Sequence, residues 1–163
     1  MNFDKILIPL DGSRFAEAAL PKAVELVRNK PDATLILLRA AEVTTFPGVD
    51  PIDAQVSVVH EAEDYLETVA ARLREDGVSG VKTSVWYGAA APAILAAARM
   101  TNPDLIMMST HGRTGIGRLI AGSVAESVLR GTRTPIFLIR VEGTPGETPV
   151  GRPAARERER ANV

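Results

Sequence analysis

Short β-rich apolar runs and stretches with helical spacing alternate along this chain, and that alternation limits its fold more than any other feature. The runs at residues 5–10, 33–40, 81–87, 104–108 and 135–141 are separated by residues 16–27, 53–76, 89–100 and 123–130, which read as helices. Strands that alternate with helices predict a parallel sheet, because each crossover must return the chain to the edge from which it left. The expected fold is α/β: a doubly wound, five-stranded parallel sheet in the order 3-2-1-4-5, with helices on both faces. Residues 33–40 are nearly continuous in apolar side chains, as a strand covered on both faces requires, whereas residues 81–87 alternate as an edge strand does. The first helical stretch is carried by Ala16, Leu20, Ala23 and Val27, and Pro21 inside it predicts a kink or a late start. In the second stretch Val56, Val59, Ala62, Leu66, Val69 and Leu73 form the apolar face, and Gly77 and Gly80 end it. Residues 41–52 read as a loop.

With 163 residues, 45% of them hydrophobic, the chain holds enough for one packed domain and too little for two. The domain is placed at residues 1–141. Beyond it, residues 142–163 turn to Gly, Pro, Thr and a charge run at 156–160, and read as a disordered tail rather than a short docking helix at 154–161. A net charge of −1 sets up no basic field, so nucleic acid is not expected as a partner. No run approaches the roughly 20 apolar residues of a bilayer span and no signal-peptide layout is present, so the expectation is no membrane association and a cytoplasmic protein. The absence of Cys excludes disulfides, thiolate chemistry and Cys-ligated zinc. His60 and His111, apart and without clustered carboxylates, do not suggest a zinc site either.

Residues 107–126 join an apolar run to a helix start through Gly112, Gly115, Gly117 and Gly122. Ser123 and Glu126 have the spacing of a capping box, which predicts a helix beginning at Ser123 with the N–H groups of Val124 and Ala125 free in its first turn. Those donors and the positive end of the helix dipole favour an anion, and glycines let the backbone approach it. A long surface loop with an ordinary cap carries the same signature, so this segment by itself leaves both readings open. Two nucleotide motifs are absent: no Lys follows these glycines as G-x-x-x-x-G-K-[ST] demands, and Ile120 stands where G-x-G-x-x-G needs its third Gly.

In a doubly wound sheet ligands bind beyond the carboxyl ends of the strands where the strand order reverses, here between the first and fourth strands. Residues 9–13 arrive there from one side and residues 109–112 from the other. The sequences Ile6-Leu7-Ile8-Pro9-Leu10-Asp11-Gly12-Ser13, Ser109-Thr110-His111-Gly112-Arg113-Thr114-Gly115 and Gly122-Ser123-Val124-Ala125-Glu126 resemble the universal stress protein family, over residues 3–141. Its nucleotide-binding members carry G-x2-G-x9-G-[ST]. Here Gly112, Gly122 and Ser123 match, and Ser109 replaces the first Gly. If Ser109 had to adopt a positive φ its Cβ would cost about 1 kcal/mol or more, which a hydroxyl donating to phosphate would offset.

The resemblance implies ATP with Mg as the ligand. It places adenine against Ala40 with Pro9 and Met108 close by, Asp11 near the ribose or a divalent ion, and the phosphates on Gly112, Gly122, Ser123 and Val124. Ala40 is smaller than the branched residue usual there. A homodimer through residues 135–141 is also expected: this strand should lie at the sheet edge, where Ile136, Phe137, Leu138 and Ile139 would be left open in a monomer, and the resemblance points the same way.

Structural roles compete with these. Asp11 and Ser13 would cap the following helix. His111 has no carboxylate or nucleophile beside it in sequence and reads as a loop-positioning residue. Arg113 and Arg118 would pair with phosphate or stay solvated, His60 reads as a surface or boundary residue, and Trp86 and Tyr87 read as packing residues. Three functions are compatible with the whole. The first is an ATP-binding stress-response protein whose nucleotide state regulates an unknown protein partner. The second is a dimeric interaction module without nucleotide. A slow ATPase or phosphotransferase ranks last, because neither a P-loop Lys nor a conventional base is evident.

Overall fold

The computed structural model describes residues 3–43, 50–112 and 122–142. The tail expected beyond Glu142, residues 113–121 of the glycine-rich segment with Arg113 and Arg118, and residues 44–49 of the expected loop lie outside the described residues. Strands β1 (Lys5–Pro9), β2 (Thr34–Ala41), β3 (Val81–Tyr87), β4 (Leu105–Gly112) and β5 (Ile136–Glu142) form one parallel sheet in the order β3-β2-β1-β4-β5. Helices α1 (Arg14–Glu17), α2 (Leu20–Val27), α3 (Pro51–Glu75), α4 (Ala90–Thr101) and α5 (Ser123–Gly131) supply the crossovers. The expected fold class and strand order are those found.

The pleat sends alternate side chains into two layers. Ile6, Ile8, Leu35, Leu37, Leu105 and Met107 pack with α2 and α3 through Leu20, Ala23, Leu66, Val69 and Leu73. Leu7, Ile36, Leu38, Ile106 and Met108 pack with α4 and α5 through Ile94, Ala97 and Val128. At β1, Ile6, Leu7 and Ile8 are fully buried, because the central strand is covered on both faces. Each such side chain contributes roughly 1.5–3 kcal/mol on burial, whereas an exposed i,i+4 helical pair such as Arg130–Glu126 contributes about 0.3–0.5. The two apolar layers therefore hold the sheet.

Departures from the sequence reading each have a local cause. The first helical stretch is two helices: Pro21 has no N–H to give and its ring would meet the carbonyl of Glu17, so the chain breaks at Ala18–Ala19 and restarts with Pro21 in the first turn of α2. The helix expected from residue 53 starts at Pro51, where the Asp50 carboxylate accepts from the Ile52 N–H at 2.7 Å. At 25 residues α3 is about 37 Å long against about 26 Å for an eight-residue strand, so its amino end overhangs the sheet. Val56, assigned from its spacing to the buried face, is accordingly exposed, as is Ile52.

Strand β4, expected to end at Met108, continues to Gly112, since Ser109, Thr110, His111 and Gly112 pair with Ile139, Arg140, Val141 and Glu142. Polar residues there hid the strand from an apolar pattern. The last strand likewise runs one residue past the expected domain boundary, to Glu142.

Candidate functional site

A cavity of about 400 Å³ opens at the carboxyl end of the sheet, above β1 and β4 where the strand order reverses. Pro9 and Asp11 come from the end of β1, Ala40 from β2, Met108 and Ser109 from β4, and Gly122, Ser123 and Val124 from the start of α5. All eight line the same space. The ninth expected residue, Gly112, sits opposite Glu142 at the end of β4 and is not in the described lining. A second cavity of about 430 Å³ lies at the amino end of the sheet between the α2–β2 and α3–β3 turns, and none of the expected residues reaches it.

The wall at β1 is a locked turn. Gly12 takes φ +85°, open to it because it lacks a Cβ, and the Asp11 Oδ1 then accepts from the Ser13 N–H at 2.9 Å. Ser13 in turn caps α1, its Oγ accepting from the Ala16 N–H at 3.1 Å. The capping role weighed for Asp11 and Ser13 is thus present. It engages one carboxylate oxygen of an exposed Asp11 at the cavity wall.

The opposite wall is a helix end that no side chain of the described residues caps. Gly122, not Ser123, is the N-cap of α5, and the expected capping box does not form. Glu126 instead accepts from Arg130 one turn on, through Nη2 at 2.9 Å and Nε at 3.1 Å. The Glu126 N–H bonds to the Gly122 carbonyl at 2.9 Å, so the N–H groups of Ser123, Val124 and Ala125 precede the first intrahelical bond. Such an end attracts an anion through donors and dipole together.

Ser109 occupies extended strand backbone, and the only non-Gly residues of positive φ among the described ones are Asn29 and Asn102. The strain that a Cβ would cause at this motif position is therefore absent. Ser109, Thr110 and Ser123 bring three hydroxyl-bearing residues to the lining. Two carboxylates, Asp11 and Glu42, also line it, and the described residues contain no group of three His, Asp or Glu fit to hold a metal by themselves. Magnesium needs no more than one or two carboxylates where phosphate oxygens and water complete its shell, so this donor set suits a metal carried by a phosphate ligand.

Sequence reasoning missed Arg39, Glu42, Val58 and Ala90, which share the lining. Arg39 and Glu42 flank Ala40 at the carboxyl end of β2 and were within reach of the strand-end rule. Val58 carried no signal, because its place depends on how far α3 overhangs. Arg39 leads into a polar cluster: its Nη2 donates to Glu61 Oε1 at 2.9 Å, and its guanidinium carbon stands 5.1 Å from the centre of the Tyr65 ring. The Tyr65 hydroxyl donates to Glu17 Oε1 at 3.0 Å, and Arg72 donates to Glu17 Oε2 at 2.6 Å. Burial, then the Glu17 carboxylate, hold the Tyr65 phenol well above its ordinary pKa, so it stays a donor at neutral pH. The hydrogen bond to Glu17 raises the Arg72 pKa in the same way.

Other expectations resolve outside the cavity. His111 is a strand residue opposite Val141, not a loop residue. His60 is exposed, as expected. Trp86 packs against the α4 layer and donates to Ser84 Oγ at 2.9 Å, but Tyr87, also taken for a packing residue, is 63% exposed at the end of edge strand β3.

The sequence profile of the universal stress protein family matches residues 2–140. The chain belongs to the universal stress protein family. A putative universal stress protein of Staphylococcus aureus strain USA300 is 31% identical over 150 residues, covering 90% of both chains. Among solved structures, a universal stress protein family member from Burkholderia pseudomallei aligns with 29% identity and a TM-score of 0.66, over 84% of this chain and 96% of that one. A universal stress protein family protein of Arabidopsis thaliana, solved with AMP bound, shares the fold at 19% identity with a TM-score of 0.65, over 88% of this chain and 96% of that one. The matched segment of this universal stress protein ends within β5. No helix among its described residues is long and apolar enough to cross a membrane.

Proposed function

We propose that this universal stress protein binds ATP with Mg in the cavity above β1 and β4, and that its nucleotide state regulates interaction with a protein partner. The observation that carries this reading is the uncapped start of α5 lining the same cavity as Asp11 and the hydroxyl-bearing residues Ser109 and Ser123. Phosphates at Gly122, Ser123 and Val124 would accept from the free N–H groups of α5. Adenine would lie toward Ala40, Pro9 and Met108, with the ribose or the metal at Asp11. The AMP held by the Arabidopsis protein supports an adenine nucleotide as the ligand class.

Calorimetry with Mg-ATP, Mg-ADP, AMP and adenosine tests the reading directly. Heat of binding is expected for the nucleotides at micromolar to millimolar concentrations, with adenosine weaker. No heat with any of them at millimolar concentration would leave the nucleotide-free interaction module as the function.

Self-association through β5 belongs to the same proposal. Among the described residues this strand pairs with β4 alone, and Phe137 is 42% exposed on it. A second copy related by a two-fold axis would pair with it antiparallel and satisfy both edges. Light scattering should give a dimer mass for the natural chain and a monomer mass for Phe137→Asp. A dimer that survives the substitution would place the contact elsewhere.

A further inference from the structure

We propose that Arg39 is a positioning residue, its guanidinium fixed by Glu61 and the Tyr65 ring so that its flat face braces the Gly12 turn and holds Asp11 at the cavity. A Cβ built on Gly12 would stand 3.6 Å from Cζ, Nη1 and Nη2 of Arg39 alike, so the guanidinium presents its face to the turn across a space that one methyl group would fill. Only 18% of the Arg39 side chain is exposed, although it carries a full charge, and Glu61 supplies the counter-charge that makes this tolerable. The turn needs such a brace. It leads into α1, a single turn of four residues that cannot hold its own position.

The same cluster anchors the far end of α1. Glu17, its last residue, is gripped by Tyr65 and Arg72 of α3. The Asp11-to-Glu17 segment is thus held from α3 at both ends, by Arg39 on Tyr65 at one and by Glu17 at the other. A planar guanidinium does this where an ammonium would not, because it can lie against peptide and ring while its edge donates to a carboxylate. The inference uses the proposed contact between Asp11 and ligand, and it assigns Arg39 an effect exerted through Asp11.

Two measurements on the full chain decide it. The first is Mg-ATP affinity in a double-mutant cycle of Arg39→Met with Asp11→Asn, a change that keeps the turn-forming oxygen and removes the charge. Arg39→Met should weaken binding about tenfold in the natural background and have no further effect beside Asp11→Asn, and Arg39→Lys should resemble Arg39→Met. Losses that multiply, or full rescue by Lys, would overturn the positioning role, the latter in favour of simple charge attraction. The second needs no ligand: amide exchange at Ser13 and Ala16 should speed up at least tenfold in Arg39→Met and in Arg39→Lys. Unchanged protection would overturn the brace. If the natural chain binds no nucleotide, the binding proposal alone fails, and the exchange rates still decide the role of Arg39.

Discussion

Gly122→Val is expected to weaken Mg-ATP about a hundredfold, the loss of two charge-assisted hydrogen bonds at roughly 1.5 kcal/mol each, while adenosine changes by no more than about twofold. The substitution discriminates because the fold can accept it. Gly122 sits at φ −53° and ψ 155°, a conformation open to any L-residue, and a Cβ there meets nothing within 4 Å among the described residues. Valine is a poorer N-cap than glycine and should cost α5 about 1 kcal/mol, well short of unfolding the chain. Its branched side chain would stand beside the N–H groups of Ser123 and Val124, where phosphate must come in. Calorimetry with both ligands reads the ratio. Equal losses for ATP and adenosine would place the phosphates away from α5.

Gly80→Ala should cost about 3 kcal/mol of folding free energy and lower the melting temperature by roughly 9 °C, with no ligand involved. Gly80 lies just ahead of β3, where the backbone crosses the residues that lead into β2. A Cβ at this position would collide with the carbonyl oxygen of Ala33 and crowd its carbon at 3.1 Å and the Thr34 Cα at 3.3 Å. These are backbone atoms, held by the bond from the Leu35 N–H to the Gly80 carbonyl at 2.7 Å, so they cannot turn aside as a side chain does. Urea denaturation should show a lower midpoint with an unchanged slope. A midpoint equal to that of the natural chain would mean that the two segments separate at little cost.

The contrast between these glycines shows what a sequence does and does not disclose. Gly80 read as a helix stop, its visible role, while its closeness to Ala33 depends on which strands become neighbours. Gly122 was singled out by its spacing to Gly112 and does line the cavity, yet Ser123 took the expected capping role in error, since Glu126 pairs with Arg130 one turn on. The parallel sheet followed from the alternation of elements and its order from the common doubly wound arrangement, and with them the meeting of Asp11 and Ser109, because the switch-point rule needs only topology. The Arg39–Tyr65–Glu17 cluster was invisible for the opposite reason. Its members lie on β2, α3 and α1, and only the rotation and overhang of α3 bring them together.

Strand β1, the most deeply covered strand of the finished sheet, has a different standing while the sheet is being made. Its pairing with β2 requires only the first forty or so residues, but its other neighbour, β4, begins at Leu105. A nascent chain that has emerged only through β3 would therefore present Ile6, Leu7 and Ile8 on an outer strand with an unpaired backbone, blunted only by Lys5 and Pro9 at its two ends. Arrival of β4 closes that edge and brings Met108 and Ser109 to the cavity, whose opposite wall follows with α5. A ligand of the proposed cavity would thus stabilise the protein only after this apolar strand has been covered, which ties the onset of binding to the end of assembly rather than to its beginning.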